Sequence, residues 1–275
     1  MSFGRLSIVL STHAAQFEAV AFKGELEANL AKIAGWGYEG VELAIRDPAM
    51  VDEIKLETAL SNLGLKVPAI GTGQAWGEER LSLTSPEAEI RKAAVERLKS
   101  HLELAEQLKA LVIVGLLRGI TPAGQTKDQS MHYLLDGLRE VCQAASTHQV
   151  NLAIEPLNRY ETDLLHNVDE CLEFITQVGS PNLGLLLDTF HMNIEEADIN
   201  SSILQAGAKV YHFHVADSNR WYAGAGHMDF QSILATLRST GYTGWVSGEF
   251  MPLPEADTAA RRNMEHLKSI LAAMH

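Results

Sequence analysis

The sequence predicts a closed barrel of eight parallel strands with helices outside, a (β/α)8 barrel, and three observations predict it. Short apolar runs alternate with segments of helical periodicity from one end of the chain to the other. Eight such strand-then-helix units follow one another with no linker, low-complexity tract or charge block between them. Several of the runs are apolar on both faces, as strands covered on both sides must be, and stop at an ionisable residue. The 275 residues, 46% of them hydrophobic, suffice for one such domain with a sizeable core, so 1–275 reads as a single unit.

Residues 6–11 form the first strand. Leu26, Leu30 and Ile33 follow at helical spacing, and Gly35 and Gly37 close that helix. The second strand covers 41–44, with Arg46 just beyond it. A helix over 54–63 stops at Gly64. The third strand, 67–71, runs into GTGQAWGEE. That stretch lacks the GxGxxG spacing of a phosphate cradle and reads as a loop, in which Trp76 can pack or offer a stacking face to a sugar. Ser85 as N-cap and Pro86 at the first helical position open a long helix to residue 108. The fourth strand is 110–114, and Arg118 follows it.

The second half repeats the rhythm. A helix over 130–147 precedes the fifth strand, 151–155. The helix over 168–178 ends at Gly179 and Pro181, and the sixth strand, from 183, ends at Asp188. A short helix covers 201–207 and the seventh strand 210–215. Asp229 caps a helix through Ile233, Leu234 and Leu237 that Gly241 stops. The eighth strand is 245–249, and a helix over 258–274 ends the chain.

Four strands deliver a metal-capable side chain near their C-terminal ends, where parallel α/β barrels hold their chemistry: Glu155, Asp188, His214 and Glu249. Asp188 alone would read as the cap of the next turn. Three carboxylates and an imidazole from four strands point instead to one hard-metal site. Three oxygen ligands and one nitrogen suit Mn²⁺, Co²⁺ or Mg²⁺ better than tetrahedral zinc. His212 and His214 face the same side of one strand. His214, nearer the strand's end, reads as the ligand and His212 as a layer of the core. His13, His101, His132 and His148 follow no pattern and read as surface or core residues.

The net charge of −13 argues against a nucleic-acid or anionic-membrane surface. Cys142 and Cys171 have no CxxC partner and read as packing residues. The N-terminal apolar run is too short for a signal peptide, and no segment approaches the roughly 20 apolar residues of a membrane span. A soluble, cytoplasmic protein is expected.

The strings IEPLNRYETD, LLLDTFHMNIEE, HFHVADSNR followed by GAGHMDF, and GEF lie between residues 154 and 250. On them the chain resembles the xylose-isomerase-like TIM-barrel superfamily, and in it the ketose 3-epimerase branch, which acts on D-tagatose, D-psicose and L-ribulose. IRDP, AIGTGQA and GLLRG make it similar also to the 5-keto-L-gluconate epimerase type. The resemblance implies one divalent metal, usually manganese, held by Glu155, Asp188, His214 and Glu249. It implies that Glu155 and Glu249 are the acid/base pair and that Glu161, His191 and Arg220 contact substrate oxygens. It also implies a homo-oligomer, dimer or tetramer, with a small keto-sugar as substrate.

The expected activity is therefore inversion of the carbon beside a ketone. A proton would pass between the two glutamates through a cis-enediolate. An epimerase of a keto-sugar acid is the alternative, with Arg46 and Arg118 gripping the carboxylate. Against it, Arg46 can simply pair with Asp47 or another acid of this acidic chain, and Arg118 can be a loop residue. An aldose–ketose isomerase would use the same metal to move a proton between C1 and C2. An endonuclease on this barrel would need a histidine-rich, multi-metal mouth and a basic groove, which this acidic chain does not offer. A barrel that merely bound sugar would not need two carboxylates doubling as ligands.

Overall fold

The computed structural model describes residues 3–274. Its strands, in chain order, are β1 (Arg5–Ser11), β2 (Phe22–Lys23), β3 (Gly40–Ala44), β4 (Ala69–Gly71), β5 (Leu111–Val114), β6 (Leu152–Ile154), β7 (Leu183–Asp188), β8 (Val210–Val215) and β9 (Trp245–Gly248). All pairings are parallel, and β1 pairs with both β3 and β9, so β1 and β3 to β9 close into the eight-stranded barrel. The two-residue β2 is an addition, pairing with the end of β1 at Leu10 and Ser11.

The helices are α1 (Leu26–Gly35), α2 (Glu53–Leu63), α3 (Gln74–Glu79), α4 (Ala88–Leu108), α5 (Lys127–Thr147), α6 (Val168–Val178), α7 (Thr189–Glu195), α8 (Ile199–Ala206), α9 (Phe230–Ser239) and α10 (Ala256–Ala273). Their buried stripes pack on the outside of the barrel and form the main core. Among the described residues no helix is long and apolar enough to cross a membrane.

Several boundaries differ from the sequence reading, each for a local reason. GTGQAWGEE contains the helix α3 rather than a bare loop. Pro68 has no N–H to give a ladder, and β4 begins after it. The long helix starts at Ala88, because Ser85 Oγ accepts the Glu87 N–H in a turn before it (3.2 Å). α5 starts earlier than expected, at Lys127, through a capping box between Thr126 and Gln129. α7, which carries His191, was not anticipated; Asp188 caps it.

The small inner cluster Ala69, Ile113, Ala153 and Leu186 fills the barrel interior. Side chains alternate along a strand, so residues two further on point the same way. Glu155 lies two beyond Ala153, and Asp188 two beyond Leu186. Register pairs Leu186 with His212 and Asp188 with His214. The candidate ligands thus form the layer above the packed interior, at the C-terminal mouth. Gly184 interrupts the apolar run of β7 because Tyr211 covers it; an added Cβ would stand 2.4 Å from that ring.

Candidate active site

Asp188 is the last residue of β7 and the cap of α7. Its Oδ1 accepts the Phe190 N–H at 2.8 Å, while its buried Oδ2 has no partner. The capping role and the ligand role therefore use different oxygens. Glu155 follows β6 and its Oε1 is likewise buried and unpartnered. His214, near the end of β8, spends Nε2 on Glu42 and leaves Nδ1 without a partner. Glu249 follows β9, and its Oε2 stands 3.8 Å from His214 Nδ1. Donor atoms of these four residues all lie within 4.8 Å of one another. Buried polar atoms almost always find partners. Three orphaned ones aimed at one space, from carboxylates and an imidazole, fit a divalent cation.

The electrostatics agree. Burial, then the neighbouring Glu249 charge, hold Glu155 well above its ordinary range. Burial raises Asp188 as well. Burial pushes Glu249 up against the pull of His214 and Arg220, to about 7. Burial presses His214 down, yet Glu42 facing Nε2 and the site carboxylates raise it to about 10. Clustered buried carboxylates that resist ionising are what a cation relieves.

His191 projects from α7 into the same space. The Asn158 backbone N–H (3.3 Å) and side-chain amide (2.7 Å) both donate to its Nδ1. The amide's orientation is fixed by the Tyr160 N–H on Asn158 Oδ1. The proton of His191 is therefore on Nε2, which points at Glu155 Oε1 (3.7 Å) and Asp188 Oδ2 (3.8 Å) with no hydrogen-bond partner. Burial, then Arg220, push His191 well below its usual value, so it is a neutral donor.

Arg220 bridges Glu161 (2.7 Å) and Glu249 (3.3 Å) and stacks on Phe190, 4.6 Å from the ring centroid. It sits at φ 60, a left-handed conformation rare for a side-chain-bearing residue. Its own backbone hydrogen bonds hold it there: N–H to Asp217 O, and O from the Met251 N–H. Asp217 in turn accepts the N–H groups of Ser218, Gly224 and Met228, folding the loop that carries Arg220.

The remaining expected residues fall in different places. Trp76 lines the cavity, on α3. Arg46 does not. Its guanidinium pairs with Glu78, which does line the cavity, at 2.7 Å and with Glu79 at 3.3 Å, so its charge is already matched. Arg118 is fully buried, bonded to the carbonyls of Gly115, Leu164 and Leu165, and also outside the lining. These two are corrections to the keto-acid reading: neither is placed to grip a substrate carboxylate. His212 lies in the barrel interior against Glu42. His101 is a core residue bonded to the Arg97 and Ile45 carbonyls, while His132 and His148 pair with surface acids.

Sequence reading missed Glu42, Asn158 and Gly115. Glu42 is a carboxylate on an otherwise apolar strand, the same signal that singled out the others. Gly115 leaves room for Glu155: an added Cβ would stand 3.1 Å from its Oε2.

Glu155, His191, His214, Arg220 and Glu249 line a cavity of about 360 Å³ that also receives Phe17, Leu116 and Arg80. Such a volume suits a single sugar. A family model described as xylose isomerase-like TIM barrel matches residues 30–270. The chain is 33% identical to the L-ribulose 3-epimerase of Mesorhizobium japonicum over 87% of its length and 80% of the relative's. It is 31% identical to the D-psicose 3-epimerase of Agrobacterium fabrum, over 78% and 75%. A solved structure of an L-ribulose 3-epimerase superposes with a TM-score of 0.85 at 27% identity, covering 98% of this chain and 95% of that one.

Proposed function

The chain belongs to the xylose isomerase-like TIM barrel family, and on that premise we propose that it is a metal-dependent ketose 3-epimerase acting on sugars such as L-ribulose, D-tagatose or D-psicose. The observation that carries this is the convergence of three orphaned buried donors, on Glu155, Asp188 and His214, beside Glu249. Those four residues would hold one divalent ion; the donor set suits Mn²⁺, Co²⁺ or Mg²⁺ alike, and the family resemblance puts Mn²⁺ first. Bound there, such an ion polarises a ketone oxygen and stabilises the negative charge that develops on it.

The protein's own groups do the rest. Glu155 and Glu249 follow β6 and β9, which β7 and β8 separate. One carboxylate takes the proton from C3 and the other returns one to the opposite face, and the roles exchange with direction. His191 offers its Nε2–H to a substrate oxygen, and Arg220 and Glu161 bind hydroxyls while Arg220 steadies Glu249. Phe17, Leu116 and Trp76 give the cavity an apolar wall against which a sugar face can pack.

The keto-sugar acid remains a second reading on one observation: Arg80 lines the cavity and, among the described residues, makes no ion pair. A dimeric or tetrameric assembly and a cytoplasmic location belong to the same proposal; sedimentation and cell fractionation test them.

The experiment is a product analysis of the Mn²⁺-loaded protein on neutral ketoses and on their keto-acid counterparts. Formation of the C3 epimer of a neutral ketose supports the main reading. A preference for keto acids that Arg80→Ala abolishes supports the second. An aldose product contradicts both.

A further inference from the structure

Glu42 lies on β3, across the barrel from β8, and is almost wholly buried (1% exposed). Its Oε2 is 2.7 Å from His212 Nε2 and 2.9 Å from His214 Nε2, and its Oε1 is 3.1 Å from His214 Nε2. The two rings meet edge to face, with centroids 5.2 Å apart. The three residues can be read as ligands of an ion of their own. The distances oppose this: two ligands at about 2.1 Å from a common ion stand about 3 Å apart or more. A gap of 2.7 Å holds a proton instead. An ionised carboxylate only accepts, so both imidazoles must donate Nε2–H to it. That leaves the lone pair or second proton of His214 on Nδ1, the unpartnered atom that faces the other three donors.

We propose that Glu42, by accepting Nε2–H from His214 and His212 together, is a positioning residue of the metal centre that fixes the His214 ring with Nδ1 toward Glu155, Asp188 and Glu249. The inference rests on the metal reading of those four residues. His212 acts as the brace: it occupies the rest of Oε2 and packs the ring of His214 on its outer edge. Partners of this kind, one bond behind a ligand, orient it and set its basicity.

An amide in place of the carboxylate breaks the arrangement without changing its size. The substituted amide carries no charge, and either orientation sets its NH2 group against the Nε2–H of His214, donor to donor, so His214 would have to turn or move its proton to Nδ1. The test is calorimetric titration of the metal-free protein with Mn²⁺, for wild type, Glu42→Gln and Asp188→Asn, with melting in chelator to check folding. Glu42→Gln is expected to lose ten- to a hundredfold in Mn²⁺ affinity while its melting in chelator stays near wild type. A second measurement needs no variant. In Mg²⁺-loaded protein labelled with ¹⁵N-histidine, His212 and His214 should each show a slowly exchanging proton coupled to Nε2. Unchanged Mn²⁺ affinity in Glu42→Gln with a loss in Asp188→Asn, or a His214 Nε2 without a proton, would overturn the positioning role alone. Unchanged affinity in both variants would overturn the metal centre with it.

Discussion

At the scale of single residues, the site is made by side chains that each satisfy one neighbour and leave one atom over. Asp188 caps α7 with Oδ1 and keeps Oδ2; His214 gives Nε2 to Glu42 and keeps Nδ1; His191 gives Nδ1 to Asn158 and keeps Nε2–H. Once His214 has given up its second proton, the two histidines present opposite chemistry to the site, an electron pair and a hydrogen-bond donor. Glu155→Gln and Glu249→Gln should each cost on the order of a hundredfold or more in kcat, since each removes a proton carrier but keeps the shape. Near-normal turnover of either variant with Mn²⁺ bound would contradict the two-carboxylate scheme. Glu155, Asp188, His214 and Glu249 were legible because strand ends are readable from periodicity. Glu42 carries the same readable signal, a carboxylate on an apolar strand, but its role was not legible, since its partner His212 is 170 residues away. Alternation tells which side of a strand a residue takes but not what stands across the barrel. Arg46 and Arg118 show the limit from the other direction: their places after a strand were readable, and so was an acid as the partner of Arg46, but not which acid, nor the carbonyls that hold Arg118 in the interior.

At the scale of elements, the strands are rigid and the connections aim the chemistry. The turn after β5 must stay thin. Gly115 there has φ −93 and ψ −121, and a β-carbon would press on Glu155. Gly115→Ala is expected to lower kcat and Mn²⁺ affinity together while secondary structure by circular dichroism is retained; unaffected kinetics would mean that Glu155 has slack. The loop after β8 is organised by Asp217, whose carboxylate collects three backbone N–H groups. Asp217→Ala leaves those donors without their acceptor and should cost at least about 2 kcal/mol in urea unfolding. It should also raise KM more than it lowers kcat, because Arg220 loses its frame. An unchanged KM would separate the loop from substrate binding. The strand-helix rhythm was readable from the chain, whereas α3 and α7 were not. Each is short, with too few residues to show a period: Asp188 caps α7, and α3 ends at Arg80 in the left-handed region.

At the scale of the molecule, the barrel closes around a cluster of buried carboxylates that a divalent cation would relieve. Glu249 titrates at about 7 in the metal-free fold against an ordinary 4.5. Between those values the native protein holds a proton that the unfolded chain has lost, so this group costs stability increasingly as pH rises through that window. Glu155 and Asp188 are displaced in the same direction, and His214, raised to about 10, must also give up its second proton to become a ligand. Protons and metal therefore compete. The melting temperature gained on adding Mn²⁺ after chelation should be small near pH 5 and grow toward pH 8; a gain independent of pH would contradict the assignment of these groups as ligands. Chelator alone should abolish activity and lower the melting temperature, and Mn²⁺ should restore both.

The central claim is that two glutamates exchange a proton at the carbon beside a ketone. The most direct measurement is NMR of L-ribulose or D-psicose incubated in D2O with the Mn²⁺-loaded protein. The expected result is the C3 epimer with one deuterium at C3 and none at C1, and loss of that exchange in both Glu155→Gln and Glu249→Gln. Deuterium at C1 with an aldose as product, or epimer formed without deuterium in either sugar, would contradict it.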